Sequence, residues 1–238
     1  MEQKTLNGDG RMLVEVVETP RGIIVHHKNE LLTFSYPMIG PGYFKKIMPE
    51  VDKIGKRPTT AQTLSLVDLA LQNPDDKYCQ ELLNRFRNQY FWTGTQSTSF
   101  NEGVIVYDNV DGKMPSSSGD LVKLHLVEDP RVRFVKKGFK SGSMPISEFL
   151  KHPYVIAQIG EDMIPIAERV AQKLHKTDAY VFGVESASKD VNQYTALYSG
   201  CSRGRLCLVG IYDVDGGNGC ASGVLASEPR SGEAAQKK

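Results

Sequence analysis

Helical periodicity is confined to two main windows of this chain, and that segregation narrows the fold more than any other feature. Residues Thr59–Tyr90 and Pro165–His175 carry apolar side chains at i, i+3 and i+4 spacing, while most of the remainder alternates over short runs or turns. A doubly wound parallel sheet needs strict alternation of strand and helix, which is absent. The order predicts an α+β fold. Antiparallel β-sheets, from an N-terminal meander and C-terminal hairpins, should pack with an αα-hairpin and a further helix.

The meander is expected over Met12–Glu18, Ile23–His27 and Leu31–Tyr36, separated by Thr19-Pro20-Arg21-Gly22 and Lys28-Asn29-Glu30 turns. A short helix is expected within Gly42–Val51. Thr59 followed by Gln62 is a capping-box pattern, and Leu64, Val67, Ala70 and Leu71 then line one helical face. Asn73-Pro74-Asp75-Asp76 ends that helix and starts another, with Pro74 at a first-turn position and Cys79, Leu82, Leu83, Phe86 and Tyr90 as its stripe. Trp92–Ser99 reads as a polar loop, and Gly103–Tyr107, Leu121–Val127 and Arg131–Val135 as strands. Pro145–Leu150 reads as a helical turn, with strands at Ala179–Val184, Tyr194–Ser199, Leu206–Tyr212 and Cys220–Ala226. Leu206–Tyr212 is mostly apolar on both faces, the mark of a central strand covered on both sides. One α+β domain is expected over 1–227, with a division into two sub-lobes near 113–120 as the alternative. Residues 228–238 read as a flexible tail.

Composition excludes several classes. Of 238 residues 40% are hydrophobic and 24% charged, which excludes wholesale disorder. Lys plus Arg is 29 and Asp plus Glu 28, so no global positive field exists to steer a nucleic acid. The longest apolar run, Leu206–Tyr212, falls far short of the ~20 residues of a membrane helix. The start, Met1-Glu2-Gln3-Lys4-Thr5, has no apolar core of a secretory signal. Cys79, Cys201, Cys207 and Cys220 are too few for a disulfide framework in a chain this long, and they form no C-x2-C knuckle. Free, mostly buried thiols in a cytoplasmic protein without cofactor or metal are expected.

Several residues are candidates for function. Lys56, Arg57 and Thr59 precede a helix N-terminus, where cations and free amides suit a phosphate or carboxylate; ordinary capping is the competing role. Arg131, Arg133, Lys136, Lys137 and Lys140 form the densest basic segment. Alternation puts Arg131 and Arg133 on one face of an edge strand and Val132 and Phe134 on the other, so the cations either meet nucleic-acid phosphates or guard the edge against aggregation. Cys201 lies beside Arg203 and Arg205, whose charge favours the nucleophilic thiolate; an inert strand cysteine is the bland alternative. Trp92 and Thr93 either line a small-molecule pocket or seal a helix end against the sheet. His26 and His27 are strand neighbours, so they point to opposite faces and cannot share one ion. Asp213-x-Asp215-Gly216 opens like a calcium loop, but the twelfth position is Val224, so a hairpin turn is expected.

Three readings follow. The first is a non-catalytic module binding a protein partner or a small anionic ligand. The second is an enzyme on an anionic substrate held by Lys56, Arg57, Arg203 or Arg205, with Cys201 or an Asp reacting. The third is a nucleic-acid contact through 131–140. Without triad spacing, metal set or nucleotide fingerprint, the first is preferred, with no membrane partner and nucleic acid disfavoured.

Overall fold

Thr59 and Gln62 cap a helix as their spacing predicts. In a computed structural model, which describes residues 22–113, 118–182, 192–199, 204–211 and 218–226, Thr59 Oγ1 accepts from the Gln62 amide at 3.1 Å. Gln62 Oε1 accepts from the Thr59 amide at 2.9 Å. The helix α2 (Thr60–Gln72) follows, preceded by α1 (Phe44–Ile54). The next helix, α3 (Lys77–Asn88), starts three residues after Pro74, with Asp76 as its N-cap. The Asp76 carboxylate accepts from the amides of Tyr78 and Cys79, so its side chain, not the proline ring, sets the boundary. Helices α2 and α3 form the expected αα-hairpin.

The expected α+β class is what the chain adopts. Strands β1 (Gly22–His27) and β2 (Glu30–Ser35) pair antiparallel. Residues 12–18, expected as the first strand of the meander, lie outside the described residues. The third member of this sheet comes from the other end of the sequence, β12 (Val224–Leu225).

A nine-stranded sheet carries the rest. Its strands are β3 (Ile39–Gly42), β4 (Tyr90–Ser99), β5 (Gly103–Asp108), β6 (Val132–Lys136), β7 (Gly142–Pro145), β8 (Asp178–Phe182), β9 (Asn192–Tyr198), β10 (Cys207–Ile211) and β11 (Gly219–Ala221). The main path runs β3-β11-β4-β9-β10-β8-β7, and β5 leaves it by pairing β4, with β6 at the edge beyond. Pairings are antiparallel except β4 with β11 and β8 with β10. The central position expected for Leu206–Tyr212 is met, with β10 between β9 and β8.

Helices cover the inner face of this sheet. Here α2 and α3 join α5 (Ile146–Phe149), α6 (Pro153–Ile159) and α7 (Ile164–Leu174) over Phe91, Leu197, Leu208 and Val181. On the outer face, α1 covers Trp92, Ala196 and Ala221, with Ile39, Tyr90, Tyr194 and Ile211 packed at the margin of that cluster. Its Phe44, Ile47, Met48 and Val51 form the cover.

Two segments depart from expectation. Trp92–Ser99 is not a loop but most of β4, buried throughout. Its hydroxyls, Ser99 excepted, are satisfied inside the protein: Thr95 Oγ1 accepts from the Thr60 amide at 3.0 Å and donates to Asp108 at 2.7 Å. Thr93 Oγ1 donates to the Thr195 carbonyl at 3.1 Å, and Ser97 meets the Tyr154 hydroxyl at 3.1 Å. Buried polar groups with partners are compatible with a core; unpaired ones are not. Leu121–Val127 is likewise not a strand but part of α4 (Ser118–Leu126). Leu121 and Leu124 turn to the same cluster around Ile105 and Tyr107, while Val122 and Val127 are exposed, a helical spacing.

Candidate functional site

Side chains on β8 and β10 alternate between faces, so every inward residue has outward neighbours. Val181 and Leu208 enter the helical core. Tyr180, Phe182, Cys207 and Val209 therefore face outward. Cys207 stands opposite both Tyr198 and Tyr180 in the strand register, and Tyr180 opposite Ser143. Tyr90 on β4 continues the row, its ring 4.8 Å from that of Tyr198. One register row thus crosses five strands as Tyr90, Tyr198, Cys207, Tyr180 and Ser143. The next row adds Val209 and Phe182, which stand opposite one another.

No described helix covers this end of the outer face, and the two rows border a cavity of about 320 Å³. Three tyrosines and one phenylalanine wall it, and Arg205 lies at its side. Tyr180 and Phe182 hold their rings 6.1 Å apart. Phe182 is 53% exposed, an aromatic kept in water by a strand whose other face is buried. Burial raises the Tyr90 phenol above its ordinary pKa, with Tyr198 adding to the effect, so it remains a neutral donor at physiological pH. The Arg205 guanidinium donates from Nη1 to the Ser143 hydroxyl, and its Nε–H is buried without a hydrogen-bond partner.

The residues predicted from sequence are dispersed. Arg57 forms a two-pronged pair with Asp52 of α1, at 2.8 and 2.7 Å, and only 11% of its side chain is exposed. Lys56 is exposed and its backbone bridges to Val224. Thr59 spends its hydroxyl on the cap. Trp92 is 1% exposed, donates its indole N–H to the Gly42 carbonyl at 3.1 Å and packs edge-on to Phe44. It seals α1 to the sheet. Thr93 is fully buried. Arg205 alone of that set reaches the cavity; Arg203 and Cys201 lie outside the described residues, as does the Asp213–Gly216 turn.

The basic segment sits elsewhere. β6 is an edge strand, but Arg131 is bound two-pronged by Asp129 and Arg133 by Asp108. The Arg131 guanidinium holds Asp129 down at about 2. The expected faces are both partly covered, because Val132 packs toward α4 and Val135 into the main core, leaving Phe134 exposed. Lys136, Lys137 and Lys140 line a shallow hollow with Glu148 and His152.

Thiols are not uniformly free. Cys207 is disulfide-bonded, correcting the expectation of free thiols at that residue. Cys79 and Cys220 are free and buried, and burial pushes each thiol up to about 12, so neither offers a thiolate. Among the described residues no group of three His, Cys, Asp or Glu could hold a metal, and no helix is long and apolar enough to cross a membrane. His26 is exposed and His27 buried, on opposite faces of β1.

The outer row escaped the sequence reading because Tyr180 and Tyr198 were counted only as strand formers. The available signal was alternation itself: Tyr180 and Phe182 share the face opposite Ala179 and Val181.

No protein-family model and no curated protein matches the chain. A solved structure described as the accommodation of massive sequence variation in Nanoarchaeota by the C-type lectin fold is similar, with 12% identity and a TM-score of 0.56. The likeness covers 84% of this chain and 100% of that one. It shows the fold: this chain has the C-type lectin architecture.

Proposed function

We propose that this protein is a non-catalytic binding module whose contact surface is the open outer face around Tyr90, Tyr180, Phe182, Tyr198 and Arg205. The observation that carries the reading is a five-strand row with three tyrosines, joined by Phe182 from the next row, bordering a cavity of about 320 Å³ on a sheet packed from behind. A hollow of this size suits a small organic molecule. Tyrosine and phenylalanine offer large contact area with few rotatable bonds, and arginine adds a planar fork of donors, a composition found in strong binding sites. The similar fold is described as accommodating massive sequence variation, a property that suits recognition by interchangeable side chains more than chemistry with fixed geometry.

The test is a fragment screen by NMR on the full chain. Binding fragments should move the ring resonances of Tyr180, Phe182 and Tyr198 and be recovered unchanged. Shifts confined to Lys136–Lys140, or chemical conversion of a bound fragment, would contradict the reading.

A further inference from the structure

Among the described arginines, Arg57, Arg85, Arg131, Arg133 and Arg169 each pair with a carboxylate. Arg87 has no ion pair among the described residues, but it stands exposed on α3, where water serves it. Arg205 differs from both groups. It is half-buried and its Nη1 meets the neutral Ser143 hydroxyl; its Nε–H is shut from solvent with no acceptor, as are Arg85 Nη1 and Arg133 Nε, but those two guanidiniums each hold a carboxylate. No described carboxylate pairs with it. The guanidinium keeps its positive charge, and its Nε–H keeps an unmet demand for an acceptor.

We infer that the cavity takes a small organic anion with a planar apolar body, of the aromatic carboxylate class, and that Arg205 is the residue that holds its charge. This rests on the binding-module reading and adds the ligand's chemistry. An anion there would give the Nε–H its acceptor and the guanidinium its counter-charge, both in surroundings where a charge-assisted hydrogen bond is stronger than in water. The planar body would lie against Tyr180, Phe182 and Tyr198, whose rings border the same space. A bare inorganic anion would satisfy Arg205 but leave those rings in water. A neutral aromatic would cover the rings but leave the guanidinium without a counter-charge.

Benzoate and benzamide test this, being nearly equal in shape and different in charge. Titrations of the full chain at neutral pH should show benzoate binding at least roughly tenfold more tightly than benzamide, with inorganic phosphate weaker than benzoate. Arg205→Gln should bring benzoate to the level of benzamide, while Arg205→Lys, which keeps charge but loses the planar fork, should fall between. Added salt should weaken benzoate and leave benzamide unmoved, a readout that needs no variant. Equal binding of benzoate and benzamide at the Tyr180 face would overturn this inference and leave the module reading standing. Phosphate binding as tightly as benzoate would overturn the planar body. Binding of neither aromatic at millimolar concentration overturns the inference, and the absence of any fragment at this face takes the module reading with it.

Discussion

The segment 131–140 and the single residue Arg205 make an instructive pair. The first carries five cations, and the second is one cation on a sheet face. Yet Arg131 and Arg133 are neutralised within the fold by Asp129 and Asp108, and Lys136, Lys137 and Lys140 lie on the surface among Glu148 and His152. Arg205 has lost water at its Nε and gained no carboxylate among the described residues. Density of charge along a chain and availability of charge at a site are different quantities. Desolvation and pairing separate them, and both are decided by distant residues.

The largest effect that would break this contrast is on Asp108. It accepts from both prongs of Arg133 and from Thr95. Asp108→Ala should cost about 2–3 kcal/mol by strand an unpaired, partly buried guanidinium against β5, read as a lower denaturation midpoint. Unchanged stability would mean that Arg133 is no more committed than Arg205. Gly219→Ala probes the closed part of the outer face beside the open part. A Cβ there would approach the Trp92 indole nitrogen to 2.3 Å, with the Tyr90 carbonyl at 2.7 Å. The expected cost is about 1–3 kcal/mol with altered tryptophan fluorescence; a neutral result would show that Trp92 does not seal α1.

A histidine pair repeats the contrast on a smaller scale. His26 is exposed, whereas His27 is buried and its Nδ1 meets the Ser65 hydroxyl at 2.9 Å. Burial lowers the His27 pKa from 6.5, with Lys28 adding to the shift. The unfolded chain therefore takes up the proton first as pH falls, and stability should decline below about pH 6.5, being fully present above it. His27→Gln should flatten that decline and His26→Gln should not; identical profiles would place both rings in water. Smallest of all is Arg131→Ala. Its pair with Asp129 is exposed, so the change in stability should stay below about 1 kcal/mol by chemical denaturation.

The same physics explains what could be read from residues alone. The cap at Thr59, the αα-hairpin, the central β10 and the antiparallel sheets are local or periodic signals, and they were legible. β4 was not, because Thr93, Thr95 and Ser97 enter the core only through partners on α2, α6 and other strands, up to 102 residues away. α4 was not legible because Val122, Leu124 and Leu126 alternate as a strand face would over so short a run, whereas the pair that packs, Leu121 and Leu124, is spaced for a helix. β7 and α6 went unassigned; β7 is only 4 residues long, and α6 is buried at five of its 7 positions, which erases any amphipathic stripe. In the site, Arg205 was named for its charge, but the tyrosines that border it converge only through the strand order.

The account stands on the state of one N–H group. Its most direct test is the side-chain Nε–H resonance of Arg205, assigned by its loss in Arg205→Lys and followed during a benzoate titration of the full chain. A saturable downfield shift, with the Arg133 resonance still, is the predicted result. A resonance that stays fixed while benzoate moves the Lys136–Lys140 signals would contradict it.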